Sequence, residues 1–233
     1  MLCTRATEDA DMRRSERLAR VSMRVATAED LEAIGKTLAG AFEHDPIWGW
    51  AFEEAERERK LTALATVFGF CAAAALDLGW VRVSEGVEAV ALWIPPGAPE
   101  MSPADEERLP GVVAGACGPE SATRVLELFG AFEANHPHEP PHFYLSLLGT
   151  DPAHAGHGHG LGLVAECLAE IDAGDPPAAA FLESSNPANV PRYERLGFRP
   201  TREVELVAGI AGTQMWRGPG GSAPPAVRGR FAP

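Results

Sequence analysis

The stretch that decides the fold is Tyr144-Leu-Ser-Leu-Leu-Gly149-Thr-Asp-Pro152, followed shortly by His157-Gly158-His159-Gly160-Leu161-Gly162. The first half is an apolar run with the length of a buried strand. The second half sets glycine at every second position where an apolar-periodic helix begins. Such glycines let the backbone approach a ligand closely, and the helix aims unpaired N–H groups and its positive dipole end at an anion. The unit therefore predicts a pyrophosphate cradle. About twenty residues further on stands Glu183-Ser-Ser-Asn186-Pro-Ala-Asn189-Val-Pro191-Arg-Tyr193-Glu-Arg-Leu-Gly197-Phe198. Asn189 suits an N-cap, Pro191 a first turn, and Gly197 a helix end with Phe198 folding back to the core. Tyr193 has no structural task in that pattern.

Outward from this centre the chain reads as alternating helices and strands. Thr27 caps a first helix with Leu31, Ile34, Leu38 and Phe42 as its apolar stripe, and residues 57 to 78 predict a longer one with Leu61, Leu64, Ala65, Phe68 and Ala72 on one face. Two strands, 80 to 83 and 87 to 94, flank Ser84-Glu-Gly86 as a hairpin that Pro95-Pro96 stops. Residues 97 to 140 predict two helical pieces, the second with Val125, Leu128, Phe129 and Phe132 as its stripe. After the strand 142 to 149 come a helix from about 160 to 173, a strand 178 to 182, a short helix near 189 to 196 and strands near 199 to 207 and 212 to 217. In the helix, Leu161, Val164, Ala165, Leu168 and Ile171 form one side, and Gly174 is the expected stop. The order predicts an α/β (α+β) fold, with a mixed, mostly antiparallel sheet of about six to seven strands and helices on both faces.

A chain of 233 residues, 45% hydrophobic, suits one domain, here 23–217, with a disordered extension at 1–22 and a flexible tail at 218–233. The formal net charge of −13 excludes nucleic acid as a partner, because a polyanion needs a basic face, and it favours a cationic one. No apolar run approaches a membrane span and no apolar signal segment opens the chain, so the expectation is a cytoplasmic protein without a membrane partner. Cys3, Cys71, Cys117 and Cys167 are widely spaced and predict free thiols rather than disulfides or a metal site.

In this order and at this spacing the two central motifs resemble the core of the GCN5-related N-acetyltransferases. Residues 24 to 217 carry the likeness, most strongly after 142. The resemblance implies the fold just described and acetyl-CoA as donor. In that family the phosphate loop reads Gln or Arg, two residues, Gly, one residue, Gly or Ala. Two alignments fit: one begins at Ala155 and uses Gly158 and Gly160, and the other, preferred here, begins at His157 and uses Gly160 and Gly162. Histidine then replaces the customary residue, and His157, Gly158, His159, Gly160, Leu161 and Gly162 form the cradle. Backbone at Leu148, Gly149 and Thr150 would meet the thioester end, Asn189 the pantetheine arm, and Tyr193 would protonate the departing sulfur. For the base Glu183 stands first, with His142 and Tyr144 next, and a water relay needs none of them. The acceptor pocket falls to Phe42, Glu43, Asp45 and Trp48, two acids among aromatics that suit an organic cation, together with His142, Tyr144 and Glu183. Ala91-Leu-Trp93-Ile-Pro-Pro96 and Pro141-His-Phe-Tyr144 are also similar to the subgroup containing puromycin N-acetyltransferase.

The function implied is acetyl transfer from acetyl-CoA to the amine of a small molecule, by a monomer or homodimer without a metal. A non-catalytic acyl-CoA-binding module is the alternative. Three rival readings of the loop stay open. Gly160-Leu-Gly162-Leu-Val-Ala165 with Glu183 matches a dinucleotide fingerprint, although about ten residues separate the glycines from their strand. His154, His157 and His159 could form a metal loop, or the glycines could be structural.

Overall fold

The computed structural model describes residues 22–207 and 209–224. All but the last position of the expected extension at 1–22, Cys3 included, and the end of the expected tail lie outside the described residues.

Seven strands form one sheet in the order β1-β2-β3-β4-β5-β7-β6. They are β1 Met23–Val25, β2 Val81–Ser84, β3 Ala89–Ile94, β4 His142–Thr150, β5 Ala179–Ser184, β6 Arg199–Val207 and β7 Ile210–Arg217. Every neighbouring pair is antiparallel except β4 and β5. The helices are α1 Leu31–Phe42, α2 Pro46–Ala51, α3 Arg57–Ala75, α4 Pro103–Cys117, α5 Pro119–Asn135, α6 His159–Asp172 and α7 Val190–Glu194. Fold class and strand number agree with the sequence, and the segment from Pro46 to Ala51, read only as a pocket loop, is a short helix that Asp45 caps through the Ile47 N–H.

The period-2 alternation of the central strands divides the core into two layers. Val90, Leu92, Ile94, Tyr144 and Phe181 point to one face with Ile34, Leu38, Leu64 and Phe68. Ala89, Ala91, Trp93, Leu145 and Leu182 point to the other, against Leu163, Val164 and Leu168 of α6. Burying each large apolar side chain stabilises the fold by roughly 1.5–3 kcal/mol, so the sheet's position between α1, α3 and α6 is strongly determined. On α6 the buried stripe is Gly160, Leu163, Val164, Cys167, Leu168 and Ile171, whereas Leu161 and Ala165 of the expected stripe are only partly covered.

Where α1 crosses α3, a Cβ on Gly35 would lie 2.4 Å from the Ala65 carbonyl oxygen. The absent side chain is what lets the two helices close. The helical segment Arg57–Leu78, 22 residues with a window of mean hydropathy 1.8, does reach the length and composition of a membrane span, which corrects the expectation that no run does. Here it buries Leu64, Val67, Phe68 and Ala72 in the core. Cys71 and Cys167 are buried free thiols and Cys117 is half-buried.

Hydrogen bonds tie the end of β7 to α6. Arg217 pairs with both oxygens of Asp172 at the end of α6, at 2.8 and 2.5 Å, and its Nε donates to the Leu196 carbonyl at 3.1 Å. Asp172 also accepts the Gly220 N–H at 3.0 Å, beside a turn at Pro219–Gly221.

Candidate active site

The parallel pairing of β4 and β5 runs from His142↔Ala179 to Leu145↔Leu182 and ends there, although β4 continues to Thr150 and β5 to Ser184. The cause is visible on the other side of β4. Leu147 pairs with Leu92 and Leu145 with Trp93, so Ser146 is the extra residue of a bulge. A bulge bends its strand, and here the bend coincides with the point where β4 leaves β5. Beyond it, the β4 edge offers main-chain groups to an extended ligand. A cavity of about 890 Å³ opens at the split, walled by Leu145 to Leu148, Leu182 to Ser185, Asn189 and Tyr193.

At the outer end of β4 the chain turns through Pro152–His154 and enters α6 at His159 with Gly158 as N-cap. Gly156 and Gly158 have φ of 83° and 87°, a region that favours glycine. The first-turn amides of His159, Gly160 and Leu161 have no intrahelical partner. Gly162 differs, because its N–H donates to the Gly158 carbonyl at 2.8 Å. Gly158 thus caps the helix, Gly160 lies in its first turn and Gly162 lies inside it. A Cβ on Gly160 would lie 2.6 Å from Thr150 Oγ1, so this glycine seats α6 on the end of β4. His157 is exposed, with Nδ1 3.3 Å from the His154 carbonyl oxygen, and His159 Nδ1 is buried without a hydrogen-bond partner.

The remaining β4 assignments separate. Leu148 faces the cavity, whereas a Cβ on Gly149 would meet Leu38 Cδ2 at 2.8 Å and Ala41 Cβ at 2.9 Å. Gly149 is thus a point of close approach between α1 and the sheet, and Thr150 faces α6.

Glu183, Tyr144 and His142 all line the cavity. Glu183 accepts from Tyr144 OH at 3.3 Å and from Gln214 Nε2 at 3.1 Å. Burial raises its carboxyl to about 7 against the pull of those two donors, and the charge of Glu100 adds to the rise. Tyr193 is half-buried beside Phe198, and burial pushes its phenol up to about 12, so it holds its proton at neutral pH. Burial keeps His136 at about 4 and lowers His142 as well, so both rings are neutral there.

Glu100 was not anticipated. It comes from the loop between β3 and α4, accepts from Ser146 Oγ at 2.9 Å, and is raised to about 7 by the surrounding protein although water in the cavity reaches it. The one sequence signal was an acid alone in Pro95-Pro-Gly-Ala-Pro-Glu100, straight after a strand end.

Of the acids assigned to the acceptor, Glu43 is lost to it. Arg57 clamps its carboxylate, Lys60 Nζ donates to its carbonyl at 2.7 Å, and it lies outside the cavity wall. Asp45 lines the cavity but is occupied, with Oδ1 on the Ile47 N–H at 3.1 Å and Oδ2 on Ser185 Oγ at 2.6 Å. Phe42 and Trp48 do face the cavity.

The dinucleotide reading of the loop loses its support. The strands after α6 are antiparallel to their neighbours, apart from β5 on β4, so the described residues form no doubly wound sheet for a dinucleotide. Among the described residues no group of three or more His, Cys, Asp or Glu is placed to hold a metal ion.

Residues 121–217 match the family model of the acetyltransferase (GNAT) domain. Among solved structures, the fold is similar to an acetyltransferase from Corynebacterium glutamicum described as histone acetyltransferase HPA2 and related acetyltransferase, with 24% identity, TM-score 0.58, and 88% of this chain and 98% of that one covered. An N-acetyltransferase from Staphylococcus aureus Mu50 gives 16% identity and TM-score 0.51 over 83% of this chain and 98% of that one. The Drosophila melanogaster polyamine N-acetyltransferase gives 16% and 0.50 over 83% and 97%. These likenesses establish the fold. Over residues 121–217 the domain match supports acyl transfer as the chemistry of the site.

Proposed function

We propose that the protein transfers the acetyl group of acetyl-CoA to the amine of a small molecule by direct attack. The observation that carries this is the parting of β4 and β5 after Leu145 and Leu182, which opens a cavity shared by Glu183 and Tyr193. The cradle fits a CoA diphosphate: two positive-φ glycines, the free first-turn amides of α6, and the orphaned His159 Nδ1 await an acceptor of hydrogen bonds. Gly158, His159, Gly160 and Leu161 would hold the diphosphate, and the β4 edge with Asn189 the pantetheine. When bound, acetyl-CoA supplies an activated acyl carbon.

The chain's own groups supply the proton movements. An acceptor enters as an ammonium ion and must lose a proton before its nitrogen can attack, and Glu183, with a carboxyl near neutrality, takes it. The C–N bond forms as the C–S bond breaks. Tyr193 holds a proton on its oxygen for the departing sulfur and regains one from the nitrogen through the cavity water. Main-chain N–H groups of β4 beyond Ser146 polarise the carbonyl oxygen. The similarity of Ala91–Pro96 and Pro141–Tyr144 to the puromycin N-acetyltransferase subgroup supports a place beside those enzymes.

The test is turnover. Incubation with acetyl-CoA and a panel of small amines, following free thiol, is expected to show acetylation that falls about 100-fold or more in Tyr193→Phe and in Glu183→Gln. Binding of CoA without thiol release for any amine would instead favour a non-catalytic module.

A further inference from the structure

The charges around the cavity are of one sign. Asp45, Glu100, Glu106, Glu133 and Glu183 line it, and among the described residues no Lys or Arg does. An acceptor with a carboxylate would enter without a counter-ion and face only like charges while losing its water. The acids are not equivalent. Asp45 is taken up by Ile47 and Ser185, and Glu183 has one oxygen on Gln214 and the other on Tyr144. Glu106, Glu133 and Glu100 are all exposed. Glu100 is different: Ser146 Oγ occupies Oε2 and fixes the carboxylate, which leaves Oε1 to accept from a ligand. Its charge is felt at Glu183, so the two carboxyls act on the same cavity.

Opposite in character, Met101, Leu109, Phe129 and Phe132 give the same cavity an apolar wall, each half-buried and packed against the core. We propose that the acceptor is an amine with an apolar body and no carboxylate, and that Glu100 is the residue that selects its positive charge. The inference rests on the acyl-transfer reading of the cavity, from which it takes only the cavity's role. It excludes free amino acids and peptides with a C-terminal carboxylate near the reacting nitrogen. It admits arylalkylamines and amino acids whose carboxyl is esterified or amidated.

Calorimetry on the CoA-saturated protein tests it, because binding is read without turnover. The probes are matched pairs: 2-phenylethylamine against phenylalanine, tyramine against tyrosine, and tyrosine amide as the repaired third member. The expected result is that the amines and the amide bind at least about 100-fold more tightly than the free amino acids. Glu100→Gln is expected to weaken the amines about tenfold while leaving CoA affinity unchanged, and Glu100→Asp to restore part of the loss. Equal binding of paired members, no binding of either, or unchanged amine affinity in Glu100→Gln overturns the assignment. Failure of CoA itself to bind would overturn the acyl-transfer reading instead.

Discussion

At the scale of single residues the chemistry turns on how one carboxyl is tuned. Glu183 sits among Tyr144, Gln214 and the charge of Glu100, and the neutral His136 and His142 add no positive charge near it. A base must be ionised to accept a proton, so activity should rise with pH through about 7, the value to which burial raises Glu183. A profile of kcat/KM against pH checks this. Because the Glu100 charge contributes to that rise, Glu100→Gln should move the limb to lower pH, and Glu183→Gln should flatten it along with the rate. A limb unmoved in Glu100→Gln would show that the two carboxyls do not interact. Glu100 was invisible in the sequence because its partner Ser146 is 46 positions away, and only the sheet brings them together. The same holds in reverse for Glu43, a candidate cation-binding acid until the fold sets Arg57 against it.

At the scale of elements, the strand, loop and helix around the cradle were legible because their signals are local. The strand β4, the glycine loop, α6 and β5 follow from apolar period and glycine placement; in the segment after β5 the side chain that caps is Asn186, whose Oδ1 accepts the Ala188 N–H at 3.0 Å, and not the expected Asn189, which already has helical backbone. The frame of the loop is less legible. Hydrophobic period does not locate a helix start within one turn, and Gly158 at φ 87° decides it. Two glycine substitutions separate binding from folding here. Gly158→Ala strains the loop by about 1–3 kcal/mol and should raise the KM for acetyl-CoA roughly tenfold or more, with little change in the amine KM. Gly35→Ala drives a methyl into the Ala65 carbonyl and should destabilise the fold by about 1–3 kcal/mol, seen as a lower urea midpoint. CoA affinity measured below that midpoint should be unaffected.

For the whole molecule, the site costs stability in a way that pH reveals. The Glu183 carboxyl is raised on folding, so its contribution is fully present below the ordinary carboxylate range and is lost as pH rises through about 7. Glu183→Gln resembles the protonated form at every pH. Its Tm should match the wild type near pH 4 and exceed it at pH 8 by about 2–6 °C. A variant less stable at pH 8 would mean that the carboxylate is held by more than Tyr144 and Gln214. The Asp172–Arg217 pair has the opposite sign, since the guanidinium lowers the Asp172 carboxyl, and its contribution is lost as the solution becomes acid. The overall sheet was readable from element order alone, whereas the division of labour among five acids was not, because charge in a cavity is a property of the assembled walls.

The most direct measurement is a crystal structure of the protein with CoA. The predicted result is the diphosphate on the first-turn amides of α6 after Gly158, the pantetheine between β4 and β5 beyond Leu145 and Leu182, and the sulfur beside Tyr193. CoA bound elsewhere, or a sulfur remote from the cavity that holds Glu100 and Glu183, would contradict it.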